Sequence, residues 1–163
     1  MSLFVLSGKS GIGKTTCLEK LCQGRNDIGG FLSPIVNGKR NFYLISQQKY
    51  VEMEANEVSF EDILKIRKYT FSKLAFDEAI SALQMDWSEQ KRICILDEFG
   101  PLEKDNTGLL PELNEIIKTA SKSEQHDLIV VVRESLRDHF VSKYMVTKVF
   151  NVENVKNLFE VYY

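Results

Sequence analysis

Cysteine is scarce in this sequence. The three that occur, Cys17, Cys22 and Cys94, are odd in number and lack C-x-x-C spacing. That argues against a disulfide framework and against a zinc site. Cys17 and Cys22 are five apart on a predicted helix and do not share a face, and Cys94 sits inside an apolar strand. All three read as buried free thiols of a reducing cytoplasm. Histidine is scarcer still: His126 and His139 have no partner pattern, and neither is assigned to a metal or to catalysis. No apolar run approaches the roughly 20 residues of a membrane span. No sign of charge dominates either. The net charge is −2, so there is no global basic field to attract nucleic acid. The start, Met1-Ser2-Leu3, has neither the basic region nor the long apolar stretch of a cleaved leader, and the expectation is a cytoplasmic protein.

What remains is the composition of an ordinary globular chain, 44% hydrophobic and 27% charged over 163 residues. That length favours one domain, residues 1–163, with a real core. Short continuous apolar runs at Leu3–Leu6, Ile93–Leu96, Leu128–Val132 and Tyr144–Phe150 suit strands covered on both faces. Helical spacing joins Leu74, Ala75, Ala79, Ala82 and Leu83, and again Leu109, Leu110, Leu113, Ile116, Ile117 and Ala120, with Pro111 near the helix start. Strands alternating with helices predict an α/β fold, a mostly parallel sheet with helices on both faces. Residues 29–55 break the rhythm. Phe31–Val36 and Phe42–Ser46 flank the turn signal Asn37-Gly38, with Lys39 and Arg40 widening the loop or opening the second strand, and Tyr50–Glu54 alternates like a third strand. The segment reads as an inserted antiparallel β-meander. Ser59-Phe60-Glu61-Asp62 reads as a helix start capped by Ser59.

Gly8-Lys9-Ser10-Gly11-Ile12-Gly13-Lys14-Thr15 fits the phosphate-loop pattern G-x-x-x-x-G-K-[ST] at every fixed position, after a strand and before a helix, Thr16 to Cys22. Glycines there let the backbone curl its N–H groups inward, and the helix N-terminus adds partial positive charge. Gly8 through Thr16 are therefore the expected nucleotide-binding residues. Lys14 is expected to reach the β- and γ-phosphates, and the Thr15 hydroxyl to ligate Mg²⁺.

A second signal is the apolar strand Ile93-Cys94-Ile95-Leu96 ending in Asp97-Glu98. Adjacent positions at a strand end point in different directions. One carboxylate, Asp97, can face Mg²⁺ while the next, Glu98, faces an attacking water. Gly100-Pro101 marks a sharp turn beyond, and Glu103 reads as an exposed loop charge, with a second acid near the site as the other reading. Arg133 falls at the carboxyl end of a strand, the edge where ligands bind in such sheets, and is a candidate contact for the γ-phosphate. Arg25, Lys39 and Arg40 read as solvated, with a trans-acting finger as the other use for one of them. Arg67, Lys68 and Tyr69 form a basic-aromatic cluster suited equally to a nucleobase or to a surface turn. Trp87 reads as a packing anchor, and Phe150, Phe159, Tyr162 and Tyr163 as an aromatic tail docked on the body.

At this point the chain resembles the thermophilic-type nucleoside-triphosphatases. The resemblance rests on Gly8–Thr16, on Gly29-Gly30-Phe31-Leu32-Ser33-Pro34, on Lys68-Tyr69-Thr70-Phe71 and, most specifically, on Leu96-Asp97-Glu98-Phe99-Gly100-Pro101-Leu102-Glu103. It implies a RecA-like sheet and Mg²⁺-dependent hydrolysis of nucleoside 5′-triphosphates with loose base selectivity, and it supports Lys14, Thr15, Asp97 and Glu98 in the roles above. This chain departs from the family at Lys9-Ser10, where prolines are frequent, and at Val132-Arg133-Glu134, where a His-Arg pair is. A phosphate loop alone also serves kinases and nucleotide-dependent switches or assembly factors. Those are the competing readings; the nucleoside triphosphate is the expected small-molecule partner in each.

Overall fold

The computed structural model describes residues 2–54, 63–66, 69–100, 109–122 and 126–160, with the backbone only at 63–66, 69 and 110. In chain order the elements are β1 (Leu3–Gly8), α1 (Lys14–Cys22), β2 (Ile28–Leu32), β3 (Ile35–Val36), β4 (Lys39–Leu44), β5 (Lys49–Glu52), β6 (Ile63–Ile66), β7 (Tyr69–Ser72), α2 (Lys73–Ser88), β8 (Ile93–Phe99), α3 (Leu110–Ala120), β9 (Asp127–Arg133), a 3₁₀ turn (Glu134–Leu136), α4 (Arg137–Lys143), β10 (Lys148–Phe150) and α5 (Lys156–Glu160).

The main sheet runs β10-β1-β9-β8-β2-β4-β3, with β5 also on β4. From β10 to β2 every pairing is parallel, and from β2 to β4 the sense reverses. Side chains alternate across the sheet because the strand period is two. Leu3, Val5, Cys94, Leu96, Leu128, Val130 and Val132 face one core with α2, α3 and α4. Phe4, Leu6, Ile93, Ile95, Ile129 and Val131 face the other, with α1 and α5. Burial on both faces is why these strands read as unbroken apolar runs rather than alternating ones.

Several expectations change. The antiparallel meander is there, β3 and β5 both pairing with β4, but Ile28–Leu32, whose last two residues open it, also belongs to the parallel sheet. It pairs parallel with β8, from Ile28↔Ile93 to Phe31↔Leu96, and only its far edge pairs antiparallel with β4. The reason lies at Gly29 and Gly30. A Cβ on Gly29 would stand 2.5 Å from the Asp86 side chain, and one on Gly30, where φ is +86°, would overlap the Ile95 carbonyl. These glycines let β2 press against both α2 and β8. Asp86, buried on α2, accepts from the Gly30 N–H at 2.7 Å and from Ser46 Oγ at 3.0 Å.

Of Tyr144–Phe150 only Lys148–Phe150 is strand. Residues 144–147 are irregular, following α4, which Tyr144 caps with an extended backbone while its hydroxyl donates to Asn114 Oδ1 at 2.9 Å. Ser59, its neighbours and Arg67-Lys68 lie outside the described residues, but no helix runs on through 63–66, which pairs with β7 as an antiparallel hairpin. Helix α2 starts after Ser72, whose hydroxyl accepts from the Ala75 N–H. Leu74 is exposed rather than on the core face. Arg25 is not solvated either: it pairs with Asp27 at 2.6 Å and lies over the Phe159 ring. Phe150 and Phe159 are buried as expected, whereas Tyr162 and Tyr163 lie outside the described residues. Trp87 packs edge-on against His126, with ring centroids 3.8 Å apart. Cys22 and Cys94 are buried free thiols and Cys17 is half-buried. No described helix is long and apolar enough to cross a membrane.

The hairpin is as the turn signal predicts. Asn37 and Gly38 both have positive φ, 50° and 78°, and join β3 to β4 with Ile35 opposite Arg40. β5 follows on the other edge of β4, Phe42 opposite Val51. This three-stranded extension carries a second wall up beside the carboxyl ends of the parallel strands.

Candidate active site

Between β1 and α1 the chain must reverse direction within five residues, 9–13. It does so through Gly13, at φ +94°, a conformation L side chains avoid. Gly13 is the N-cap of α1 and makes no side-chain cap bond, so the first N–H groups of α1 have no side-chain partner at their cap. Donors of that kind, with the helix dipole behind them, favour an anion.

The loop opens onto a cleft of about 450 Å³. One wall is Ser10, Gly11, Gly13, Lys14, Thr15, Thr16 and Glu19; the other is Ser33, Pro34, Ile35, Val36 and Arg40; Asp97, Glu98 and Arg133 lie at its floor and end. Six of the nine loop residues expected to meet nucleotide thus line the cleft. Gly8 and Lys9 instead supply carbonyls that accept from Lys14 Nζ, both at 2.8 Å, and Ile12 is exposed at the loop's tip. Burial lowers the Lys14 ammonium below its ordinary value, partly offset by Asp97.

Asp97 is 3% exposed. Its Oδ2 accepts from Thr15 Oγ1 at 2.7 Å and from the Ser33 N–H at 2.9 Å, while Ser33 Oγ donates to the Asp97 carbonyl at 2.6 Å. Burial pushes the carboxyl up to about 6, against the hydrogen bonds from Ser33 and Thr15. Thr15 spends its proton on the carboxylate, leaving hydroxyl lone pairs for a cation. Two hard oxygen donors meeting at one point fit Mg²⁺, which takes few protein ligands and completes its shell with water and phosphate oxygens. Among the described residues no three His, Cys, Asp or Glu side chains converge as a self-sufficient metal cage.

Glu98 is held differently. β8 and β9 are in register to Asp97↔Val131, then resume at Phe99↔Val132, so Glu98 is the extra residue of a β-bulge. Its φ is +114°, far outside the ordinary range for a side-chain-bearing residue. The bulge resets the alternation: Phe99 rejoins the α2/α3 core, and Glu98, which would otherwise face that core, lines the cleft. There its Oε1 accepts from Arg133 at 2.9 Å, with Arg40 Nη1 at 3.9 Å.

The structure therefore gathers Lys14, Thr15, Asp97, Glu98 and Arg133 as the sequence led one to expect. It adds Ser33 and Arg40, the second expected to be solvated. Lys39 is indeed exposed, paired with Glu52. Pro101 and Glu103 lie outside the described residues. Only the Asn37-Gly38 turn signal could have found Arg40, because a two-residue turn sets Ile35 against it.

Comparison with known proteins agrees with this geometry. The crystal structure of THEP1 from the hyperthermophile Aquifex aeolicus matches with a TM-score of 0.70, over 99% of this chain and 96% of that one, at 16% sequence identity. At that identity the likeness establishes the fold. No curated protein matches the sequence. A family model described as NTPase matches residues 3–159, nearly the whole chain. The chain thus belongs to the NTPase family, and is a nucleoside-triphosphatase on a phosphate-loop α/β fold.

Proposed function

We propose that the protein hydrolyses the γ-phosphate of nucleoside 5′-triphosphates in a Mg²⁺-dependent reaction with loose base selectivity. The observation that carries this reading is the contact of Thr15 Oγ1 with Asp97 Oδ2 at 2.7 Å, one residue from Glu98 and directly beneath the loop. Thr15 and Asp97 would hold the metal, which when bound would supply charge neutralisation at the phosphates. The loop N–H groups and Lys14 bind the phosphates. Glu98 orients a water in line with the γ-phosphorus and accepts its hydrogen bond. The water oxygen bonds to the γ-phosphorus as the bond to the β,γ-bridging oxygen breaks. The water's proton leaves by way of Glu98 to a phosphate oxygen, giving diphosphate and inorganic phosphate. Arg133 neutralises charge on the γ-phosphoryl oxygens. Pro34, Ile35 and Val36 offer apolar contact without hydrogen-bond readout, which supports loose base selectivity.

The test is phosphate release from ATP, GTP, CTP and UTP, with Mg²⁺ and with chelator, for wild type, Lys14→Ala and Glu98→Gln. Comparable metal-dependent rates on several bases, lost in both variants, are expected. Phosphate transfer to a nucleoside or nucleotide in place of water, or wild-type turnover by Glu98→Gln, overturns the assignment.

A further inference from the structure

Arg40 belongs to no phosphate-binding motif, yet the fold brings it to the cleft and fixes its backbone there. Its carbonyl accepts from the Met53 N–H at 2.9 Å on one side, and on the other the Asn41 N–H donates to the Pro34 carbonyl at 2.9 Å. From this strand its guanidinium reaches Glu98, 3.9 Å away, while Arg133 reaches the same Oε1 at 2.9 Å from β9. Both cations thus bear on one carboxylate oxygen. Their side chains are 30% and 41% exposed and Glu98 is 28% exposed, so none is locked in a dry core.

Charge among the cleft's lining residues is balanced, with Lys14, Arg40 and Arg133 against Glu19, Asp97 and Glu98. A triphosphate carries more negative charge than one carboxylate and offers a guanidinium several oxygens in fork geometry. On its arrival the arginines have a stronger acceptor than Glu98.

We propose that Arg40 is a catalytic residue supplied in cis by the β3–β4 hairpin: it leaves Glu98 for the γ-phosphoryl oxygens when nucleotide binds, stabilising the transition state and freeing Glu98 to hold water. This rests on the hydrolase reading above. Arg40 completes a cationic clamp in which Arg133 approaches the γ-phosphate from β9 and Arg40 from the opposite wall. The exchange involves no covalent change; the bonds made and broken are those of the hydrolysis already written.

Steady-state phosphate release, nucleotide affinity and capture of Mg·ADP·aluminium fluoride, a mimic of the transferring phosphoryl group, test the proposal in wild type, Arg40→Ala, Arg40→Lys and Lys39→Ala. Arg40→Ala is expected to lower kcat about a hundredfold or more while nucleotide Kd changes by no more than about threefold, and to lose capture of the mimic. Arg40→Lys restores only part of kcat, because a point charge does not replace the fork. Lys39→Ala, one residue away and paired only across the hairpin surface, keeps wild-type values. A kcat for Arg40→Ala within about threefold of wild type overturns the proposal, as does a loss of kcat matched by an equal loss of nucleotide affinity. Absence of phosphate release by the wild-type protein overturns the hydrolase reading and this proposal together; turnover that ignores Arg40 overturns this one alone.

Discussion

The two walls of the cleft are built by opposite means. The phosphate-loop wall is contiguous in sequence: a strand, a five-residue reversal and a helix bring Gly8 to Glu19 together. The hairpin wall is assembled from a distance. Ser33 and Arg40 reach the site because β2 packs on β8, β4 pairs back onto β2, and Asp86 on α2 holds the Gly30 N–H. The first wall's chemistry is written as a motif. The second wall's chemistry depends on strand pairing and on two glycines that leave room for it.

The sharpest separation of chemistry from scaffold is at Glu98. Glu98→Gln should lower kcat by about a hundredfold or more with nucleotide affinity nearly kept, whereas Lys14→Ala should lose affinity as well. Phosphate release and equilibrium titration distinguish the two. Equal loss of affinity in both would mean that Glu98 belongs to the binding wall.

Next in size is Gly30→Ala. The added methyl meets the Ile95 carbonyl in a left-handed backbone, so folding stability should fall by about 3 kcal/mol or more in denaturant titration. The damage should reach the site through the hairpin wall. Removal of nucleotide binding but not of stability would show that the two walls are independent.

Proton concentration sets the walls against each other through Asp97. Burial pushes its carboxyl up to about 6, against an ordinary 3.8. Between those values the folded chain holds a proton that the unfolded chain has released. Asp97 therefore contributes stability to the folded protein as pH falls through 6, on the order of 2 kcal/mol, and withdraws it as pH rises, while burial of His126, which lowers its imidazole, works the other way. Metal binding needs the anion, so Mg²⁺-supported turnover should fall on the acid side of about 6. The Asp97 contribution to the melting temperature, read against Asp97→Asn, and the activity, both followed from pH 8 to pH 5, should move in opposite directions.

Smallest is Ser33→Ala. It removes the donor to the Asp97 carbonyl but leaves the backbone N–H on Oδ2. A loss of about 1 kcal/mol in stability and a modest rise in the Mg²⁺ requirement are expected. A collapse of activity would make Ser33 part of the chemistry.

The same contrast explains what could be read from the sequence. β1, β8 and β9 are apolar runs short enough to be strands and buried on both faces, and α2 and α3 carry helical spacing; all are local signals. The parallel pairing of β2 was hidden because Gly29 and Gly30 carry no apolar side chain to mark a strand, and the room they leave shows only once Asp86 and Ile95 are set against them. Tyr144–Phe150 carries Tyr144, Val146, Val149 and Phe150, apolar enough for one strand, but Tyr144 ends α4, which packs Phe140 against Phe99 at 4.8 Å, and only Lys148–Phe150 pairs with β1. Lys14, Thr15, Asp97 and Glu98 were legible because each motif carries its own backbone geometry. Arg40 was not, since an arginine on a hairpin looks solvated unless the partner strand and the end of β8 are known.

The bulge at Glu98 has a consequence for how this protein tolerates change. A side chain held at φ +114° is strained, and position 98 is where the strain and the proposed chemistry coincide. A glycine there would relax the backbone and discard the carboxylate. Stability and turnover thus pull in opposite directions at one residue. Selection for heat resistance alone would drift toward an inert, sturdier protein, and attempts to toughen this enzyme should begin elsewhere and leave that kink in place.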